Sequence, residues 1–227
     1  MIEIVNKTQD ATLDDFVYVV FSATPYKMGR FVRRFTGGRY NHVSVSANRE
    51  LTELYSFARR YRCAPFIGGF VKESSGRFSA DGKTTDIMVC AVPVSASRKE
   101  ALMKRLAEMK HEREKYIYNF FSAAAVPFRR KIRVKDAYTC VEFTVHMLSL
   151  VGYSFRGKSY IGIDDLKGQL EKYKIYEGEF PEDMPTDIFD DYEYAVSYTE
   201  HYLSFLKEMN TLAYRKMRYG NAKEHNK

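Results

Sequence analysis

Two unbroken apolar runs of strand length constrain the fold of this chain most strongly. Residues 16–23 read FVYVVFSA, and residues 86–94 read DIMVCAVPV. Short runs that are rich in β-branched and aromatic residues are typical of strands buried on both faces. We therefore expect two buried strands, far apart in the sequence.

Between these runs, the sequence predicts a basic amphipathic helix over 27–39, followed by a hairpin. Residues 40–57, YNHVSVSANRELTELYSF, alternate apolar and polar side chains on both sides of a turn signal. A turn centred on Asn48 and Arg49 sets His42 opposite Tyr55. On that register, His42 and Glu53 share one face of the sheet.

The rest of the chain predicts loops and helices, which gives an α+β fold. Residues 59–86 are typical of a loop, apart from the run FVKES, which is a candidate strand. Ser97 and Glu100 match a capping box, so we expect a helix from there to about residue 115. A further helix is expected over about 194–218.

The best-marked helix begins at Thr139. Thr139 and Glu142 stand in the T-x-x-E relation of a capping box, the following residues VEFTVHMLSLV are apolar, and Gly152 is placed to end the helix. Cys140 is then the first helical residue. Helix N-termini favour negative charge, and thiolate is the reactive form of cysteine, so Cys140 is a candidate nucleophile.

The other cysteines and most histidines fit a catalytic role less well. Cys90 lies inside an apolar strand run, and Cys63, in RRYRCAP, has arginine neighbours but no helix start. His146 is six residues along the helix from Cys140, a rotation of roughly 600°, so it points elsewhere. His42, on the polar face of a predicted strand with a carboxylate nearby, is the preferred base, and His201 stays open as an alternative.

The order of these motifs resembles a known family. GRYNHVSVS, then LYSFARR, and about a hundred residues later YTCVEFTVHML are similar to the circularly permuted branch of the NlpC-type papain-like superfamily, the YiiX-like proteins. In that family the histidine strand precedes the cysteine helix. His42 matches the family's base and Cys140 its nucleophile, although Val141 stands where the family often has serine.

The resemblance implies a papain-like α+β core, an antiparallel sheet or small barrel packed against the cysteine helix. It implies a cysteine peptidase or amidase that cleaves an amide bond in a peptide or cell-wall-type substrate, with no cofactor and no metal. The third catalytic residue is expected to be Glu53, with Tyr55 or Ser56 as alternatives. We expect Tyr40, Tyr138 and Ser56 to contact substrate.

Two other functions stay open. The related lecithin retinol acyltransferase branch uses the same cysteine and histidine to transfer acyl groups from lipid. Alternatively, the basic helix over 27–39 belongs to a non-catalytic module that binds an anionic partner, as the net charge of +7 permits. We do not expect nucleic acid as that partner, because the charge is patchy.

Composition sets the remaining expectations. A chain of 227 residues, 45% of them apolar or aromatic, supports one buried core. We expect one catalytic domain over 1–215, including an acidic segment at 177–193, and a frayed basic tail over 216–227. No apolar run reaches the roughly 18 residues that span a bilayer, and the start lacks a secretory signal, so we expect a cytoplasmic protein.

Overall fold

The computed structural model describes most of the chain, namely residues 15–24, 37–64, 66–78, 84–155, 159–180, 192 and 197–219. The predicted basic helix over 27–39 lies almost wholly outside these ranges, as does most of the acidic segment 177–193. Nothing in the structure therefore bears on the binding module that was inferred from the basic helix.

An eight-stranded mixed sheet forms the centre of the described chain. Its strands are β1 (Asp15–Ala23), β2 (His42–Ser46), β3 (Leu54–Arg59), β4 (Gly68–Lys72), β5 (Asp86–Val94), β6 (Ile117–Tyr118), β7 (Ala137–Tyr138) and β8 (Lys174–Glu179). Their spatial order is β7-β6-β4-β3-β2-β1-β5-β8. Neighbouring strands are antiparallel except for β6 and β7, which are parallel.

The two apolar runs are confirmed as strands, and they pair with each other. β1 and β5 are antiparallel neighbours along their whole length. Both runs are apolar at almost every position because each face of this part of the sheet is covered. Val19 of β1 packs in one core and Val20 in another, so side chains on both sides of the strand are buried.

Five α-helices accompany the sheet in the described ranges. They are α1 (Ala96–His111), α2 (Phe120–Ala125), α3 (Cys140–Leu150), α4 (Ile163–Leu170) and α5 (Tyr198–Tyr219). The mixed sheet with these helices confirms the predicted α+β class. None of the described helices is both long enough and apolar enough to cross a bilayer.

Helix α3 packs on one face of the sheet and forms the main core. Phe143, Met147 and Leu148 of this helix are fully buried against the sheet, as are Val43 and Val45 of β2. Helix α1 adds Leu102, Leu106 and Met109 to the same core. Burying side chains of this size stabilises the contact by roughly 1.5–3 kcal/mol each, which fixes the start of α3 relative to β2.

The hairpin of β2 and β3 forms as predicted, but its register differs. Val45 pairs with Tyr55 and Ser46 with Leu54, whereas the predicted turn sets His42 opposite Tyr55. The connection is longer than a two-residue turn because Leu51 has a positive φ of 56° and the Asn48 side chain donates a hydrogen bond to Thr52. The observed register is shifted from the predicted one by an odd number of residues. The β3 residues that were expected on the same face as His42 therefore lie on the opposite face.

Further segments agree with the sequence-based expectation only in part. The candidate strand FVKES is confirmed for its first three residues, which end β4 (Gly68–Lys72), and β8 covers residues that were assigned to the acidic segment. The capping box predicted at Ser97 is wrong, because the N-cap of α1 is Ser95 and makes no side-chain capping bond. Helix α5 confirms the helix expected over about 194–218, and residues 216–219 therefore belong to this helix and not to the frayed tail expected over 216–227.

Candidate active site

Cys140 is the first residue of α3, as the sequence predicts. The hydroxyl of Thr139 accepts a hydrogen bond from the backbone N–H of Glu142 at 3.2 Å, and the Glu142 carboxylate accepts one from the N–H of Thr139 at 2.8 Å. These two bonds complete the predicted capping box. The N–H groups of the first turn have no acceptor within a helix, so the Cys140 sulfur lies in a positive local field.

The Glu142 carboxylate also accepts hydrogen bonds from two residues at the start of α2. The Ser122 hydroxyl donates to Glu142 at 2.7 Å, and the Asn119 side-chain amide donates at 3.3 Å. Asn119 is itself the N-cap of α2, because its side chain accepts from the N–H of Ser122. The start of α3 is therefore tied to the start of α2 by a buried hydrogen-bond network.

His42 lies between Cys140 and a buried carboxylate. Its Nε2 atom is 2.5 Å from Oε1 of Glu73, and Cys140 lies close enough to the imidazole to raise the pKa of His42. The residues come from three elements: His42 begins β2, Glu73 follows the last residue of β4, and Cys140 begins α3. A sulfur, an imidazole and a carboxylate in that order can act chemically as a nucleophile, a base and an orienting group.

Buried hydroxyls support the carboxylate of Glu73. Ser44 donates to its Oε2 atom at 2.8 Å, and Ser56 donates to its Oε1 atom. Both serines are fully buried, and the Glu73 side chain is only 1% exposed. Burying a carboxylate without partners costs free energy. These hydrogen bonds, together with His42, stabilise the buried Glu73 carboxylate.

The pKa values of the pair follow from this arrangement. Burial alone lowers the pKa of His42, but the charge of Glu73 and the hydrogen bonds with Cys140 and Glu73 raise it to about 10. Burial alone raises the pKa of the Glu73 carboxyl, but the charge of His42 and its hydrogen bond outweigh that effect and leave the pKa below its ordinary value. Near neutral pH, His42 is thus an imidazolium ion paired with Glu73.

Glu53, expected to orient His42, has other partners. Its carboxylate is 2.8 Å from Nζ of Lys72 and accepts a hydrogen bond from Tyr55. The side chain is 43% exposed. The register of β2 and β3 explains the difference, because Tyr55 pairs with Val45 and so lies on the face opposite His42. The carboxylate beside His42 is Glu73.

The three residues expected to contact substrate lie elsewhere. Tyr40 is buried, and its hydroxyl donates to Glu177 at 2.9 Å. Tyr138 packs between Phe57 and His146, with ring centroids 5.1 Å and 5.6 Å away. Ser56 supports Glu73 from the sheet. Among the described residues, the lining of the cavity beside Cys140 includes none of the three.

A cavity of about 530 Å³ opens beside Cys140. Its apolar wall comes from α2 and the turn after it, from α3, and from the start of α4 and the chain just before it: Ala123, Val126, Pro127, Val141, Val145, Ile161 and Ile163. Its polar lining includes Asn41, Arg129, Lys131, Arg133, Asp164 and Asp165. The volume suits a small organic or short peptide substrate.

Tyr118 and Glu73 are the site residues that sequence reasoning missed. Tyr118 lines the cavity, and burial together with the charges of Cys140 and Glu142 raises the pKa of its phenol. The available signal for Glu73 was its position at the end of the candidate strand FVKES. A polar residue at the end of an apolar strand is well placed to enter a site, but only the sheet order brings β4 near β2.

The remaining candidates have structural surroundings. His146 stacks on Tyr138, and burial followed by the charges of Arg105 and Lys131 lowers its pKa. His201 stacks on Phe66 with a centroid distance of 6.1 Å. Within the described ranges, no group of three or more His, Cys, Asp or Glu side chains is arranged to hold a metal ion.

Comparisons of the chain with models of protein families, with curated proteins and with solved structures find no match. A functional assignment therefore depends on the residues of the site and on their chemistry.

Proposed function

We propose that this protein is a cysteine hydrolase that cleaves an amide bond through Cys140, His42 and Glu73. The observation that carries the proposal is the position of His42, whose Nε2 atom is 2.5 Å from the buried Glu73 carboxylate and whose pKa is raised by the neighbouring Cys140. The resemblance of the two motifs to permuted NlpC-type peptidases points to the same chemistry. A peptide or cell-wall-type peptide is the proposed substrate.

The first half of the reaction forms a thioester. The Cys140 thiolate attacks the amide carbonyl carbon, and a C–S bond forms as the carbonyl π electrons move to oxygen. When that tetrahedral intermediate collapses, the C–N bond breaks and His42 gives its proton to the leaving amine. A histidine that is protonated near neutral pH suits this role of proton donor.

The second half of the reaction restores the thiolate. His42, now neutral, takes a proton from a water molecule as that water attacks the thioester carbon. The C–S bond then breaks, the carboxylic acid leaves, and Cys140 returns as a thiolate beside the imidazolium. Glu73 holds the ring in one orientation and stabilises its charged form in both halves.

The start of α3 supplies stabilisation for the developing oxyanion. The N–H groups of Cys140 and Val141 belong to the first turn, where helix geometry provides no intrahelical acceptor. Donors of this kind lower the barrier of acyl transfer, and each is typically worth about 10²–10³-fold in rate. The Thr139–Glu142 capping box keeps the turn in the required position.

The experiment that tests the proposal measures the alkylation rate of Cys140 by iodoacetamide against pH. We expect labelling at about pH 6 to be much faster than that of an ordinary thiol, since an adjacent imidazolium favours thiolate. His42→Ala should remove this faster labelling. His146→Ala changes a histidine on α3, the helix of Cys140, and should leave the labelling rate unchanged.

Hydrolysis provides the second readout. Incubation with cell-wall-type peptides, followed by mass spectrometry, should show cleavage that Cys140→Ala abolishes and His42→Ala reduces by about 10³-fold. If Cys140 reacts at about pH 6 like a free thiol and His42→Ala changes nothing, the site is structural and the proposal fails.

Acyl transfer from lipid is a second candidate function, and the apolar wall of the cavity favours it. Seven aliphatic or proline side chains line the space beside Cys140, which suits an acyl chain. In this case the Cys140 sulfur would displace the glycerol oxygen of a phospholipid ester and keep the acyl group as a thioester. Intact-mass detection of acylated Cys140 after incubation with phospholipid, and not with peptides, would select this function.

A further inference from the structure

A basic segment with an exposed aromatic residue borders the cavity. Residues 126–135 read VPFRRKIRVK, with five basic residues and no acidic one. The side chain of Phe128 is 76% exposed, and positions 127–131 are all exposed, as are Arg133 and Lys135. A single exposed apolar side chain is common, but an exposed apolar residue that adjoins further apolar surface marks a candidate interaction site.

The fold holds Phe128 outward. It ends a short 3₁₀ turn, Val126–Phe128, and the next residue, Arg129, has a positive φ of 51°. Around Phe128, a shallow groove is lined by Phe121, Ala124, Ala125, Arg130 and Ile132, so the exposed ring stands beside further apolar surface.

The basic segment continues into the end of α5. Nζ of Lys135 lies 4.6 Å from the ring centre of Tyr219, and Arg215 donates to the backbone carbonyl of Lys135 at 3.3 Å. At this end of α5, the Met217 side chain is 75% exposed, and Arg218 is exposed as well. Positive and apolar side chains are therefore mixed over a continuous surface.

Among the described residues, the acidic side chains of Asp164 and Asp165 border this surface, because they line the cavity together with Arg129, Lys131 and Arg133. Asp165 pairs with Arg129 at 3.0 Å and also accepts from the N–H of Gly162, and the segment still has five basic residues against these two acidic ones. The excess of positive charge suits an anionic surface. The exposed ring suits an apolar interior beneath that surface. Aromatic residues favour that boundary, and basic residues favour anionic headgroups.

We propose that residues 126–135 and the adjoining end of α5 bind the surface of an anionic membrane, with Phe128 inserted among the headgroups. A soluble polyanion would satisfy the charges but would leave Phe128 exposed to water, so the aromatic residue favours the bilayer. Arg129, Lys131 and Arg133 also line the Cys140 cavity. Binding in this way turns the cavity toward the membrane surface, where a lipid-borne or wall-borne substrate would reach it.

Vesicle co-sedimentation of the full chain tests the proposal. We expect binding to vesicles of phosphatidylcholine mixed with phosphatidylserine, weak binding to phosphatidylcholine alone, and loss of binding as salt is raised. The combined change Arg130→Gln, Lys131→Gln and Arg133→Gln should weaken binding roughly hundredfold. Phe128→Ser should weaken it roughly tenfold.

Matched controls separate this surface from general charge and hydrophobicity. Arg49→Gln, Lys104→Gln and Lys110→Gln together remove the same charge from other exposed positions, and they should leave most of the binding intact. Met103→Ser removes a side chain that is 52% exposed on α1 and should have no effect. Cys140→Ser should bind as the wild type does, so membrane binding can stand even if the proposed hydrolysis fails.

Three results would overturn the proposal. The first is no binding to the anionic vesicles. The second is an equal loss in the control and test variants, which would indicate attraction by net charge alone. The third is competition by soluble heparin together with an unchanged Phe128→Ser variant, which would assign the surface to a polyanion.

Discussion

Cys140 and Cys90 are both buried thiols of the same core, but their surroundings give them different chemistry. Cys90 is fully buried in β5 and Cys140 is 8% exposed at the start of α3. Burial, followed by the charge of Glu171, raises the pKa of Cys90 to about 12. Cys140 instead neighbours His42, whose pKa is raised to about 10. Burial by itself therefore says little about the reactivity of a thiol.

The backbone adds to this contrast. Cys90 pairs with Val19 of β1 on one side and with Lys174 of β8 on the other, so the sheet uses the backbone N–H groups around it. Cys140 begins a helix, where the first N–H groups have no acceptor inside the helix. The same residue type therefore lies beside paired backbone groups in a central strand and beside unpaired donors at a helix start.

The largest expected effect is the difference in labelling between these two cysteines. In the native protein at about pH 6, iodoacetamide should modify Cys140 at least about 10³-fold faster than Cys90, since thiolate is the reactive form and Cys90 is also sealed in the sheet. Peptide mapping after timed labelling measures both sites in one sample. Comparable rates would show that burial governs both thiols and that His42 has no activating role.

The two glutamates offer a second test. Glu73→Gln should lower the free energy of unfolding by about 3–5 kcal/mol, because it breaks a buried ion pair with His42. Glu53→Gln removes a carboxylate that is 43% exposed, so its effect should stay below about 1 kcal/mol. Urea unfolding of both variants measures these values. Glu73→Gln should also slow the alkylation of Cys140, and equal effects of the two variants would remove Glu73 from the site.

The ion pair also predicts how stability depends on pH. The folded pKa of His42, about 10, lies above its ordinary value of 6.5, so the stabilisation is fully present below about pH 6.5 and fades as pH rises toward 10. The difference in unfolding free energy between the wild type and His42→Gln should therefore be a few kcal/mol at about pH 6 and shrink by pH 10. A difference that grows with pH would contradict the pairing.

The smallest expected effect concerns the two N-caps. Thr139→Ala removes a capping bond and should cost about 1 kcal/mol of stability, together with some slowing of Cys140 alkylation. Ser95→Ala changes the N-cap of α1, which makes no side-chain capping bond, and should cost only a few tenths of a kcal/mol. Thermal unfolding and labelling of both variants compare them. If the two costs are equal, the capping box does not hold the start of α3.

The sequence predicts those features that depend on local pattern. Two central strands are identified by the apolar runs of β1 and β5, and the helix start is identified by the T-x-x-E signal at Thr139. Burial and capping each require particular residue types at neighbouring positions, so both can be recognised from local sequence. His42 was found for the same reason, since it lies on the polar face of an alternating strand.

The orienting carboxylate was missed because its position depends on tertiary structure. Glu73 reaches His42 through the order of β2, β3 and β4 and through the register between β2 and β3. Leu51, with its positive φ, lengthens the connection in a way that the local turn signal does not show. A shift of this kind reverses the face of every β3 side chain, which excludes Glu53 and brings Ser56 to Glu73.

The separation of His42 and Cys140 on different elements has a consequence for how the chain assembles. The two residues meet only after α3 has docked on β2, so a chain that is still folding carries an ordinary thiol at this position. The onset of fast alkylation during refolding would then time a single tertiary event, the arrival of the helix on the sheet. Under the proposed function, alkylation of Cys140 would thus report when the helix reaches the sheet, without an added label.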